Sequence, residues 1–407
     1  MINGNEIKKE FEIFDNSNVI YLDSSSTTQM PKSVIKSVNE YYTKYCANAS
    51  RGSYKWANIV NKKVYEVRKQ VASFINANSS SEIIFTSGAT HSSNMIAYSW
   101  GLYNLKDGDE ILICFSDHKS TLLPWLNIQN ILKRMNINIK LVPILIDVEG
   151  DYIEEDLFSK ITSKTRLVVL THIHNVYGIE MDIEKISNKV KSIRNDILIS
   201  LDASQSVGHI KVDVQKLKVD FLFFSGHKMF ADTGIGILWV KDNVIKTLKP
   251  FMPGGGYELD SLDEIVNYNN MYEYLESGSQ NISGIISLGS AIEFINKINI
   301  ENIEEYILQL TRYAFKKLKD IKGIEFLKGI AKCKCAIGYG IISFKIQGYS
   351  IADIEDTLIT NNIYIRAGNH CTTKNIDDSI RISLHIYNTA EDIDILVNVL
   401  KNIVNGI

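Results

Sequence analysis

Short apolar runs that end abruptly in clusters of polar, chemically useful side chains recur through the first half of this chain, and they limit it to few folds. IIF (83–85) is followed by TSGATHSSN, LICF (112–115) by SDHKST, LVVL (167–170) by THIHN, ILISL (197–201) by DASQ, and FLFF (221–224) by SGHK. Apolar runs of this length, separated by helical patterns, read as strands buried on both faces of a mostly parallel sheet with helices packed across it. Ligands of such sheets bind beyond the carboxyl ends of the strands. One polar strand end means little, because most loops begin with polar residues. Five in one sheet predict a single crowded polar site.

The expected strands are Glu82–Phe85, Glu110–Phe115, Arg166–Leu170, Ile197–Leu201, Phe221–Phe224 and Ile235–Val240, with helices over Pro31–Tyr45, Trp56–Ile75, Ala89–Tyr103, Pro124–Met135 and Ile183–Ile193. Further on, helices are expected at Gly284–Lys297, Ile300–Ile321 and Thr389–Ile403, and strands at Gly340–Ile346, Ile363–Arg366 and Ile380–Ile386. The later elements do not alternate strictly, which suggests a smaller α+β domain. The expected division is a large domain over 16–289 and a small one over 290–407, with residues 1–15 packing on the latter. A chain of 407 residues is long enough for two such cores.

Composition narrows the function. A formal net charge of -3 gives no reason to expect nucleic acid or membrane as a partner, and no apolar run approaches the roughly 20 residues needed to span a bilayer. The charged N-terminus is unlike a secretory signal, so a cytoplasmic location is expected. Cys46, Cys114, Cys333, Cys335 and Cys371 make no plausible disulfide framework for an intracellular chain of this size. The Cys333/Cys335 pair also lacks partners that would complete a metal site, and no metal is expected.

The strand ends suggest a chemistry. The Ser87-Gly88-Ala89-Thr90 turn opens a helix whose free N–H groups suit a phosphate. Asp202 ends an apolar strand, where it serves either as an ordinary helix cap or as the partner of a buried cation such as a protonated pyridine nitrogen. Lys228 ends another strand; taken alone it reads as a solvated surface charge, but in a desolvated cleft its pKa would fall and it could form an imine with an aldehyde. An imine lysine, an acid for a pyridinium nitrogen and a phosphate cradle are together what pyridoxal-phosphate catalysis needs.

The ordered blocks YLDSSSTTQMP, FTSGATHSSN, DHKSTLLPW, HIHNVYG, LDASQS, FFSGHKMFADTGIGILWV, SGSQNISGIISLG and RAGNHC resemble the class V aminotransferase family, and within it the cysteine desulfurases and selenocysteine lyases of the SUF type. The resemblance implies a fold type I pyridoxal 5'-phosphate enzyme, normally homodimeric. By motif position Lys228 would form the Schiff base, His118 would stack on the ring and serve as acid or base, and Asp202 would pair with the pyridinium nitrogen. Gln205 would donate to the ring oxygen, with Asn175 on the same side. Ala89 N–H, Thr90, Ser225 and His227 would hold the phosphate, joined by Ser279 from the partner subunit. Arg381 would grip the substrate carboxylate, its guanidinium offering two parallel donors, and Arg366 matches a second active-site arginine. Cys371 would attack the sulfur of L-cysteine and become a persulfide, leaving L-alanine and passing sulfur to an acceptor protein for iron–sulfur cluster or thio-cofactor synthesis. Cationic groups such as Arg366 or His370 would favour its thiolate.

The chain departs from the family pattern at its edges. His91 stands where an acidic residue is usual, Ser279 where threonine is, Ser50 and Asn369 where histidines are, and Ala231-Asp232 where Gly-Pro is. The segment from Cys371 to Arg381 is also short. These changes leave open a selenocysteine lyase, a cysteine sulfinate desulfinase or another C–S lyase, and more remotely an aminotransferase or a non-catalytic scaffold.

Overall fold

Alternating apolar runs of the first part assemble into one seven-stranded sheet. Its strands are β1 (Ile83–Thr86), β2 (Glu110–Cys114), β3 (Lys140–Ile144), β4 (Thr165–Thr171), β5 (Leu198–Asp202), β6 (Phe221–Ser225) and β7 (Gly236–Val240), in the order β1-β7-β6-β5-β4-β2-β3. All pairings are parallel except those of β7, which runs antiparallel to both β6 and β1. The computed structural model describes residues 2–49, 52–255, 259–261, 264–265, 271–327, 338–373 and 376–406. Cys333, Cys335, Ser50 and Arg51 lie outside the described residues.

Period-two alternation decides what each face of the sheet buries. Ile83, Phe85, Leu222 and Phe224 enter one apolar cluster, while Ile84, Phe221 and Phe223 enter another on the opposite face. The helices Lys55–Phe74 and Ile282–Ile298 supply Val67, Val71, Ile285 and Leu288 to the first cluster. The second takes Ile96, Trp100 and Trp125 from helices on the other side. Strand β3 was not anticipated: Lys140 and Pro143 are exposed on it and only Ile144 is buried. It lies at the sheet edge, where proline is tolerated because one side of the strand has no ladder to serve.

A second, antiparallel sheet carries the C-terminal part: β8 (Ile324–Phe326), β9 (Ile341–Ile346), β10 (Arg366–Gly368) and β11 (Ser379–Ser383), in the order β8-β9-β11-β10. The expected strand Ile363–Arg366 is split, since Ile363–Tyr364 instead pairs in parallel with Ile20–Tyr21 near the N-terminus. Helices Ile300–Leu318, Ile351–Thr360 and Ala390–Asn405 cover this sheet over a third apolar cluster. Residues 4–14 lie at the junction: Phe11 is fully buried against Phe230, Phe294 and Tyr387, and Lys8 pairs with Asp392 at 3.2 Å. We propose a division into a large domain over 16–289, built on the first sheet, and a small one over 290–407, built on the second, with the helix Ile282–Ile298 and the Ile20–Tyr21 pairing crossing between them. No helix among the described residues is long and apolar enough to cross a membrane.

One helix begins five residues before its expected start at Pro124. It runs over Lys119–Arg134, with the His118 side chain capping it by accepting the Ser120 N–H. That early start places His118 at the helix mouth, facing the strand ends.

Candidate active site

The carboxyl ends of β4, β5 and β6 open onto a cavity of about 300 Å³, at the lower end of the range for small-ligand sites. Asp202 closes β5 and lies directly opposite Thr171 in the register of the sheet. Lys228 follows β6 on a single helical turn, Gly226–Lys228. Both side chains line the cavity, and so does His118. Of the residues expected from sequence to hold cofactor or substrate, Ser279 alone is absent from its walls; it is exposed elsewhere on this chain.

Each of these central groups is electrically conditioned by its neighbours. Burial in the cleft, reinforced by the Arg381 guanidinium, holds Lys228 below the ordinary lysine range, while Asp202 and Cys371 pull the other way. Asp202 is itself held by two donors: Thr121 Oγ1 to Oδ2 at 3.1 Å and Ser204 N to Oδ1 at 2.9 Å. Burial, followed by the Lys228 charge, pushes His118 down to about 4, so its ring is neutral at pH 7. Its Nδ1 accepts from Ser120 N at 3.2 Å, which assigns the proton to Nε2. A neutral ring with one N–H and a lysine whose charged form the cleft disfavours form a pair suited to proton transfer.

The opposite end of the cavity is built for close approach. Gly88 has φ +148°, and a Cβ on Gly236 of β7 would meet Gly88 Cα at 2.5 Å. The turn therefore lies flat on the sheet, and the helix from Ala89 opens toward Ser225 and His227. Ala89 N–H and Ser225 Oγ, both expected to hold a phosphate, here hold each other at 2.8 Å. Several buried polar atoms on cavity-lining residues lack any protein partner: Ser25 Oγ, Asn175 Oδ1, Ser204 Oγ, Gln205 Oε1 and Arg381 Nε. Buried polar atoms are normally paired, so this set fits a polar ligand about the size of pyridoxal phosphate. Gln205 Nε2 donates one hydrogen to Ser25 O at 2.8 Å and retains a second.

Residues far along the chain complete the walls. Arg381, 4% exposed on β11, donates from Nη1 to Asn175 O at 3.0 Å and from Nη2 to Ser26 Oγ at 2.8 Å and Asp23 Oδ1 at 3.1 Å. Cys371 and Arg366 are exposed at the cavity mouth. His370 and Cys371 both adopt left-handed backbone, φ 50° and 59°, which costs about 1–2 kcal/mol per non-glycine residue. The strained turn is pinned by Asn175 Nδ2 to His370 O and Lys119 N to Cys371 O, each at 2.9 Å. Burial and then the charges of Arg381 and Arg366 push His370 down to about 3. His370 is therefore not the cation that the sequence suggests beside Cys371; the charges that interact with Cys371 in the structure are those of Lys228 and Arg381.

Sequence reasoning passed over two parts of the site. Ser25 and Ser26 line the cavity and Asp23 pairs with Arg381, although YLDSSSTTQMP carried no role beyond resemblance. Asp117, just before His118, is fully buried and accepts from Tyr152 OH at 2.9 Å. Burial, with the Asp202 charge adding to it and the Tyr152 bond opposing it, raises Asp117 to about 7. Nothing local in SDHKST distinguishes it from a solvated helix-entry aspartate.

Known proteins resemble this chain in sequence and in fold. The profile of the aminotransferase class-V family matches residues 20–396. A probable cysteine desulfurase of Borreliella burgdorferi is 38% identical, covering 98% of this chain and 96% of its own, and one of Staphylococcus aureus is 35% identical over the same shares. Among solved structures, a cysteine desulfurase from Thermococcus onnurineus superposes with a TM-score of 0.90 at 31% identity, covering 100% of this chain and 99% of its own. One from Escherichia coli gives 0.89 at 26% identity, with both chains covered in full. With the family profile spanning nearly the whole chain and the fold matched end to end, this protein belongs to the class V aminotransferase family.

Proposed function

We propose that this protein is a pyridoxal-phosphate-dependent cysteine desulfurase of the SUF type, taking L-cysteine to L-alanine and holding the released sulfur as a persulfide on Cys371. The observation that carries the reading is the convergence of Lys228, Asp202, Arg381 and Cys371 on one cavity from four separate parts of the chain. Pyridoxal phosphate, when bound, supplies an aldehyde that condenses with amines and a protonated ring that withdraws electrons from the substrate α-carbon. Lys228 would carry it, Asp202 would face the ring nitrogen, and Ser225, His227, Thr90 and the Ala89 N–H would hold its phosphate.

The chain's own residues do the rest. Arg381 has its Nε–H unpartnered, a buried donor suited to a substrate carboxylate. Neutral His118, protonated at Nε2, exchanges a proton with the substrate, and Lys228 takes up or returns one from its depressed pKa. The Cys371 thiolate attacks the substrate sulfur; the carbon–sulfur bond breaks, a sulfur–sulfur bond forms, and the carbon left behind takes a proton. The sum is L-cysteine plus the Cys371 thiol giving L-alanine plus the Cys371 persulfide. An acceptor protein then removes the sulfur for iron–sulfur cluster or thio-cofactor synthesis. The exposed position of Ser279 supports a homodimer in which it serves the partner's cavity, and we assign the enzyme to the cytoplasm.

Purified protein loaded with pyridoxal phosphate is expected to release alanine from L-cysteine and to carry one extra sulfur on Cys371 by peptide mass. Cys371→Ala should abolish persulfide and sulfur delivery while retaining turnover of selenocysteine. No alanine from wild type, or undiminished delivery from Cys371→Ala, removes the persulfide mechanism.

A further inference from the structure

The turn that presents Cys371 is short, left-handed at two consecutive non-glycine residues and open to solvent. Unaided, such a segment relaxes to other conformers, so something must hold the sulfur over the cavity. The residues on either side of Cys371 supply hydrogen bonds in place of length. Asn369 Oδ1 accepts from Cys371 N at 3.1 Å, and Asn369 O accepts from Thr372 Oγ1 at 2.7 Å. Both bonds are internal to the turn and only stiffen it. Thr373 differs: its Oγ1 donates to Phe115 O at 2.6 Å, across 258 residues of sequence.

Phe115 follows the last ladder pair of β2, Cys114 with Ile144, so its carbonyl is free to take an outside donor. Three residues later comes His118. The bond therefore ties the far side of the Cys371 turn to the strand end that presents His118. The Lys119 N–Cys371 O bond ties the near side to the same loop. Thr373 does not line the cavity; its hydroxyl is engaged by Phe115 O instead.

We propose that Thr373 is a positioning residue for sulfur transfer, fixing the Cys371 turn to the His118 loop through its hydroxyl. This rests on the desulfurase reading for its catalytic consequence, but not for the tether itself. Losing one hydrogen bond of ordinary strength predicts a fall of about three- to tenfold in kcat for sulfur transfer in Thr373→Val, with KM for L-cysteine unchanged because Arg381 is untouched. The freed turn should also release the already exposed Cys371 sulfur from its fixed orientation over the cavity, so its alkylation by iodoacetamide, followed by peptide-resolved mass analysis in the holoenzyme, should accelerate several-fold. Thr373→Ser, which keeps the hydroxyl, should restore both values.

Equal alkylation rates in Thr373→Val and wild type would overturn the proposal. So would a serine variant as impaired as the valine one, since the effect would then be packing and not the hydroxyl. Unchanged cofactor absorbance and melting temperature in Thr373→Val separate lost positioning from misfolding; if either changes, comparison of the serine and valine variants decides. Should wild type fail to turn over L-cysteine, the functional reading falls, while the alkylation arm still judges the tether.

Discussion

Asp117→Asn isolates a buried acid that the protein holds at a cost. The Asp117 carboxyl has no exposed surface; Tyr152 donates to Oδ2 at 2.9 Å, Thr171 and Cys114 lend weaker support, the buried His174 Nε2 lies 3.9 Å from Oδ1, and the Asp202 charge is nearby. Its pKa rises from an ordinary 3.8 to about 7, roughly three units, or at most ~4 kcal/mol between the two protonation states. The folded protein keeps a proton that the unfolded chain releases, so stability falls as pH rises from about 4 to about 7 and is level above that. Asparagine can still accept from Tyr152 but never ionises. The variant's advantage over wild type should therefore widen by ~2 kcal/mol between about pH 5.5 and pH 8.5, since roughly half the penalty is already present at the lower value. For 407 residues, unfolding entropy of about 2 cal/mol/K per residue turns this into a relative shift of ~2 °C in melting temperature. Thermal unfolding of both cofactor-free proteins at the two pH values reads it directly. An advantage that stays constant with pH, or grows toward acid, would refute the assignment of a neutral Asp117 in the fold.

Glu276→Ala should destabilise the protein by about 3–5 kcal/mol in thermal unfolding, because it strands Arg68 without its carboxylate. Arg68 is 3% exposed, is bonded to Glu276 at 2.6 and 2.7 Å and lies over the rings of Phe85 and Tyr272; a loss below about 1 kcal/mol would mean the pair is solvated. Arg381→Lys should raise KM for L-cysteine by about tenfold or more in steady-state kinetics, since one ammonium cannot replace a guanidinium that already serves Asn175 O and Ser26 while facing a carboxylate. An unchanged KM would take the carboxylate away from Arg381.

The buried strands and the polar residues that end them were legible from residue order alone, because a strand covered on both faces must be apolar and its loop must not be. That is why Asp202 and Lys228 stand out in the sequence itself. The edge strand Lys140–Ile144 escaped notice for the opposite reason: it is half-exposed and contains Pro143, so it carries no apolar run. The roles of Arg381, Arg366 and Cys371 came from resemblance, since nothing in their local sequence says which cavity they face.

Local chemistry thus determined the sheet, its polar rim and the two groups suited to an imine and its counter-charge. Tertiary structure alone decided that Asp117 is sealed from water, that His370 is neutral beside two arginines, that Ser25 and Ser26 come back to the cavity, and that Thr373 reaches Phe115. Hydrophobic patterning acts over a few residues and is written in them. Desolvation and hydrogen bonding across hundreds of residues depend on where the chain returns, and exist only once it is folded.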